Sequence, residues 1–176
     1  ICFFITSLII LINTFYLIKG TKVMNLSENN IFLNLNVESR DELFNFLSSN
    51  AFKHNYVNDI KKTMEAFIDR EKESSTGLID GFAIPHAKDD AVITPTVFFA
   101  KLAKPIEWET FDESNVQYVF ALFVPKNEAG TTHIMMISKL ATALMEDDFK
   151  NEIKASTDIN KIISLISKEM TRGVLV

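Results

Sequence analysis

"VQYVFALFV", residues 116–124, is apolar at almost every position rather than at every second one. A strand with one face in water alternates apolar and polar residues, whereas a strand covered on both faces reads as a continuous apolar run. Residues 116–124 therefore read as the central strand of a sheet that carries helices on each side. Working outward, "LIDGFAI" (78–84) and "TVFFAKL" (96–102) are short runs rich in Val, Phe and Ile. Pro95, Pro105 and the Asp112–Asn115 stretch punctuate them as turns.

Helical periodicity flanks this strand-rich middle. "SRDE" from Ser39 has capping-box spacing, with Leu43, Phe44 and Leu47 following on one side, and predicts a helix to about Ser49. Val57, Ile60, Met64, Phe67 and Ile68 repeat at helical spacing until "REKESSTG" (70–77) ends the pattern with charges, small residues and Gly77. After the strands, Ile134, Ile137, Ala141 and Leu144 form a stripe, a second helix covers roughly Asp148 to Ala155, and Asp158 is the N-cap of a third, with Ile159, Ile162, Ile163 and Ile166 inward. Helices, then strands, then helices predict an α/β fold: a mixed β-sheet with helices packed on both faces, in a single domain. Within residues 24–176 there is no repeat, low-complexity tract or linker to divide it.

Composition narrows the chemistry. With 176 residues, 47% of them apolar, the chain is long enough to bury a core unaided. A net charge of −5 and the lack of any Lys/Arg cluster argue against a nucleic-acid partner, which needs a concentrated basic face. Cys2 is the sole cysteine, so a disulfide framework and a cysteine metal site are both excluded. Residues 1–18 carry no charge and meet Lys19 and Lys22, while Met24 opens a polar stretch. Residues 1–23 are thus expected to be an upstream extension, with a membrane anchor that leaves the remainder cytoplasmic as the alternative. No Gly-rich phosphate loop, Walker lysine, His-x-x-x-His pair or Gly-x-Ser-x-Gly elbow occurs, which removes most nucleotide-dependent and hydrolytic chemistry.

Three histidines remain to be weighed. His86, in "GFAIPHAK" (81–88), follows Pro85, which fixes its own φ and pushes Ile84 toward an extended conformation. It is held where a strand ends, as a reactive residue or as an ordinary turn histidine. His133 starts the striped helix behind Thr131 and Thr132, where the positive helix end favours an anion and a neutral imidazole, and it reads equally as a surface or capping histidine. His54, in "FKHNYV", is expected in solvent. Arg70, at the end of the second helix, needs no purpose beyond the helix dipole, and Trp108 reads as a half-buried packing residue.

Taken together, "REKESSTGLIDGFAIPHAKDDAV" (70–92), "FFAKLAKPIEWETFDESNVQYVFALFVP" (98–125) and "HIMMISKLATALM" (133–145) resemble the fructose/mannitol family of enzyme IIA domains of the bacterial phosphoenolpyruvate-dependent sugar phosphotransferase system. The likeness runs from about Ser27 to Ile166, and "AIPHAK" and "PIEW" look more like its fructose branch. The resemblance implies that residues 24–176 form an enzyme IIA-like phosphocarrier domain, a cytoplasmic phosphotransferase without cofactor. In it His86 would accept a phosphoryl group from the carrier HPr and pass it to a cysteine of a separate enzyme IIB, which serves a membrane IIC component. By the same carry-over Arg70 and His133 would lie beside His86 and assist. A regulatory phosphohistidine module of the family's nitrogen-related branch is the alternative. Ile79 and Asp80 depart from the family pattern and are expected to affect donor docking.

Overall fold

The computed structural model describes residues 26–128 and 132–172, with the side chains at 128, 132 and 133 outside that description. Residues 1–23, expected to be an extension or an anchor, lie outside the described residues. Among the described residues there are five strands and five α-helices: β1 (Ile31–Leu35), α1 (Arg40–Lys53), α2 (Ile60–Glu73), β2 (Phe82–Ala83), β3 (His86–Asp89), β4 (Thr96–Ile106), β5 (Val116–Pro125), α3 (Thr132–Ala143), α4 (Asp147–Ala155) and α5 (Ile159–Thr171). The sheet runs β1-β4-β5-β2, and β3 also pairs with β5. β4 and β5 are antiparallel, while β1 lies parallel to β4, and β2 and β3 lie parallel to β5. The sheet is mixed, with helices on both faces, as the sequence predicts.

β5 is the central strand, and its period of two divides the core. Val119, Ala121 and Phe123 face Leu43, Phe44 and Leu47 of α1 and Phe67 of α2. Phe120, Leu122 and Val124 face Met136, Leu140, Phe149, Ile153, Ile162 and Ile166 of α3, α4 and α5. Each fully buried Leu or Phe here contributes about 1.5–3 kcal/mol relative to exposure. A line of aromatic rings fixes α2 over the sheet: Phe123 meets Phe67 edge-on at 5.2 Å, Phe67 stacks on Phe44 at 5.1 Å, and Phe44 meets Trp108 edge-on at 5.9 Å.

The helix ends follow the sequence signals. Ser39 Oγ accepts from the Glu42 amide at 3.2 Å, while the Glu42 carboxylate reaches back to the amide of Glu38 at 2.8 Å. Asp59 caps α2, and Asp158 Oδ1 accepts from the amides of Asn160 and Lys161 at the start of α5. Lys139 of α3 donates to the carbonyls of Met170 and Arg172 at 2.6 and 2.9 Å, tying α3 to the end of α5, and burial pushes its pKa down.

Several expectations shift in detail. Pro105 lies inside β4 rather than in a turn. β1 pairs with β4 only as far as Leu102, and the β4–β5 register is irregular between Lys101 and Ile106, so Pro105 falls where neither neighbour keeps a regular ladder. The α3 stripe is rotated: Met136, Leu140 and Ala143 are buried and Ile134 is exposed, because this helix is apolar on more than one side. His54 is half-buried at the end of α1, and Trp108 is fully buried. No helix among the described residues is long and apolar enough to cross a membrane.

The segment 78–84 is strand only at Phe82 and Ala83, because Asp80 and Gly81 both take positive φ, +59° and +80°. Asp112 holds this turn from the next loop, accepting from the Asp80 amide at 2.8 Å and the Ser114 hydroxyl at 2.6 Å. Those bonds, the Ser114 hydroxyl foremost, hold the Asp112 carboxyl well below the usual carboxylate range. A carboxylate whose pKa falls on folding contributes stability above its unfolded value of roughly 4, and that contribution is lost as pH falls further. Asp112→Asn should therefore be less stable than wild type at pH 7 and converge on it toward pH 2. Urea midpoints measured at each pH would give the two slopes, and parallel slopes would contradict this account.

Candidate active site

Phe67 faces the sheet, so the residues three and four positions on, Arg70 and Glu71, flank it on the same side of α2. They then diverge. Arg70 reaches toward β3, and Glu71 reaches toward Trp108. The last turn of α2 thus sends one cation and one anion to opposite sides of the ring that anchors it.

His86 opens β3 immediately after an interruption in the strand line. Phe82 and Ala83 pair with Tyr118 and Val119, His86 to Asp89 pair with Leu122 to Pro125, and Ile84 and Pro85 form the break. The break is hydrogen-bonded on both sides: the Leu122 amide donates to the Pro85 carbonyl at 2.9 Å, and the Ile84 amide donates to the Thr76 carbonyl at 3.0 Å. His86 is 6% exposed, so it is almost wholly enclosed.

Both ring nitrogens of His86 have directed contacts. Arg70 Nε lies 2.8 Å from Nε2, and the Ile84 carbonyl oxygen lies 3.3 Å from Nδ1. A guanidinium N–H only donates, so Nε2 must offer its lone pair, and the ring proton belongs on Nδ1, facing the Ile84 carbonyl. The imidazole is set as the Nδ1–H tautomer, with its lone pair on Nε2. Arg70 is steadied in turn by Nη1, which donates to the Ser74 carbonyl at 2.9 Å. It therefore serves the end of α2, as its place in the sequence suggests, and the histidine as well.

His86 lines a depression of about 470 Å³ between α2 and β3. Lys62, Glu65, Asp69 and Glu73 line it from the helix, and Lys88 and Asp89 from the strand, beside Arg70 and His86. Of the residues singled out from sequence, Arg70 and His86 meet. His133 falls in the first turn of α3, and its side chain lies outside the described ones. Ile79 and Asp80 lead into Gly81, whose carbonyl accepts from the Gln117 and Tyr118 amides near the start of β5, roughly 15 Å along the strand from the level of His86. There Asp80 pairs with Lys150 of α4 at 2.6 Å, which raises the lysine pKa.

Sequence reasoning passed over Glu71. Its side chain is 7% exposed, and its carboxylate accepts from the Trp108 indole N–H at 2.8 Å, the Thr76 amide at 3.1 Å, the Thr76 hydroxyl at 2.5 Å and Arg40 Nη1 at 3.4 Å, while the Ser75 hydroxyl, 3.1 Å away, gives its one proton to the Glu109 carbonyl at 2.5 Å. The signal was available: a carboxylate four residues after Phe67 falls on the buried stripe, where a charge survives only with partners.

The sequence profile of the family described as "Phosphoenolpyruvate-dependent sugar phosphotransferase system, EIIA 2" matches residues 24–169. The chain belongs to this family. Among EIIA relatives, the fructose-specific EIIA component of Haloferax volcanii is 33% identical over 137 residues, which cover 78% of this chain and 82% of the relative. The fructose-specific EIIABC component of Bacillus subtilis is 29% identical over 143 residues, covering 81% of this chain. This chain matches only about a fifth of that longer relative, 22% of its length. The crystal structure of the nitrogen regulatory protein IIA-Ntr from Neisseria meningitidis superimposes with a TM-score of 0.74 at 26% identity, covering 80% of this chain and 94% of that one.

The Ser-Thr-Gly turn of this EIIA chain has a steric as well as a hydrogen-bonding role. A Cβ on Gly77 would collide with the Glu109 carbonyl oxygen and come within 2.8 Å of Thr110 Cγ2. Gly77→Ala must push the 109–110 backbone away, and we expect it to cost about 2 kcal/mol of stability. Urea denaturation would measure that loss, and a wild-type midpoint would refute it.

Proposed function

We propose that His86 is a phosphoryl acceptor of a sugar phosphotransferase chain, loaded by a phosphorylated HPr carrier and discharged to the cysteine of an enzyme IIB. The observation that carries this reading is the Arg70 guanidinium at 2.8 Å from His86 Nε2, with Nδ1 held by the Ile84 carbonyl. The depression over the ring gives the two carriers a place to present phosphorus.

The step balances on this geometry. Nε2 attacks phosphorus in line, a new N–P bond forms as the donor's N–P bond breaks, and the donor imidazole leaves with the electron pair. Arg70 yields Nε2 to phosphorus and turns its donors to the phosphoryl oxygens. A guanidinium about 4 Å from one of those negative charges is worth on the order of 4 kcal/mol at an effective dielectric of 20, before desolvation. Its planar fork suits two oxygens at once. Charge spread over the oxygens in a loose transition state is stabilised by such fixed donors without a metal ion. His133 joins the proposal as a further donor from the start of α3. In the second half a IIB thiolate attacks phosphorus, and the pair returns to Nε2.

Fructose-type sugar uptake on the cytoplasmic side is the supported setting, because relatives in two organisms are named fructose-specific and one of them is named an EIIABC component. The likeness to IIA-Ntr favours a second reading, in which phosphohistidine at the same residue signals to a protein target. Rapid discharge to a IIB thiol supports uptake, and stable phosphohistidine in its presence supports signalling.

The test is phosphate transfer from phosphoenolpyruvate through enzyme I and HPr, with the acid-labile phosphate mapped to a residue. Wild type should carry it on His86 and His86→Ala should carry none. A labelled His86→Ala protein would end the proposal. Arg70→Lys keeps the charge but loses the fork, and we expect transfer to slow roughly 100-fold. A rate near wild type would remove Arg70 from the transfer step.

A further inference from the structure

Two settings define this centre, the aim of Arg70 and the tautomer of His86, and both lead back to one carboxylate. We propose that Glu71 is a positioning residue, which fixes the two settings together through the 74–76 segment. The proposal rests on the reading of His86 as the phosphoryl acceptor and extends it to a residue which does not itself meet phosphate.

One branch runs to the guanidinium. Glu71 accepts from the Thr76 amide and hydroxyl, and so holds the chain that follows α2. Ser74, the residue before, offers its carbonyl to Arg70 Nη1 at 2.9 Å and its hydroxyl at 3.4 Å. With Nη1 engaged there, the Nε–H edge of the guanidinium is turned to His86.

The other branch runs to the imidazole. The carbonyl of Thr76, a residue Glu71 binds twice, accepts from the Ile84 amide at 3.0 Å. Ile84 then presents its own carbonyl to His86 Nδ1 at 3.3 Å. A shift of Thr76 moves Ile84, weakens the Nδ1–H contact and releases the ring proton to exchange between nitrogens.

Glu71 is suited to this because it is itself held from behind. The Trp108 indole and Arg40 fix its carboxylate from the end of the sheet and from α1, and Arg40 also lies over the Trp108 ring at 5.6 Å. A buried carboxylate with four donors has little freedom to turn. An amide at this position keeps the shape but offers one acceptor oxygen, and its NH2 group repels donors that the lost oxygen received.

The variant to make is Glu71→Gln, with two readouts. Imidazole nitrogen shifts from long-range proton–nitrogen NMR, taken at alkaline pH on unphosphorylated protein, report the tautomer. Single-turnover transfer over a range of phospho-HPr concentrations separates the maximal rate from donor binding. Wild type should show the Nδ1–H form, and Glu71→Gln a mixture with the Nε2–H form. Its maximal rate should fall on the order of 10- to 100-fold, with half-saturation changed less than about twofold. An unmoved tautomer, an unchanged maximal rate, or a loss confined to half-saturation would overturn the proposal.

A purely structural role would lower the melting temperature and leave the nitrogen shifts as they are. If Glu71→Gln loses amide dispersion and does not fold, Thr76→Val, which deletes one donor in the same shape, takes its place. It should move the shifts in the same direction by a smaller amount, and wild-type shifts would overturn the proposal. Wild-type protein that takes no phosphate on His86 defeats the acceptor reading instead, since the nitrogen shifts need no transfer.

Discussion

The hydrogen bond from the Leu122 amide to the Pro85 carbonyl is the contact on which this molecule turns. β5 has β4 along one side and, along the other, a strand line that breaks at Ile84 and Pro85 and resumes at His86. Without a bond across the break, two short strands would be free to shift against each other. With it, the rigid backbone of the most buried strand sets the position of His86. Proline suits the break because its fixed φ and missing N–H remove the alternative of a continuous ladder, while its carbonyl remains available.

α2 arrives at the same place by a different route. Phe67 seats the helix on Phe123, and the two charged residues that follow divide their work on either side of that ring. Burying Glu71 carries a desolvation cost that a carboxylate recovers only with full hydrogen bonding, and four donors from three parts of the chain provide it. The cost brings specificity of arrangement: α1, the turn after α2 and the end of the sheet are all held by one group.

Much of this was legible in the amino-acid order. The nearly continuous apolar run 116–124 announces a strand covered on both faces, and Ser39, Asp158 and the 70–77 punctuation mark helix limits that the structure keeps. Other parts were hidden for physical reasons. β1 is five residues long and carries Asn34 at φ +55°, so its pattern is broken by a left-handed residue. β3, "HAKD", has no strand composition at all and is extended because β5 pairs with it. The meeting of Arg70 and His86 needed the tertiary fold, since 70–77 is a turn in sequence and a clamp only once Trp108 and Ile84 close on it.

The contact between His86 Nδ1 and the Ile84 carbonyl bears on more than orientation. A ring that begins with its proton on Nδ1 and receives phosphorus on Nε2 has the same number of protons before and after loading, and again after discharge. On the acceptor reading, this side of the exchange takes nothing from water or buffer and returns nothing. The cycle would run without a general base acting on this ring and show a solvent deuterium isotope effect near unity.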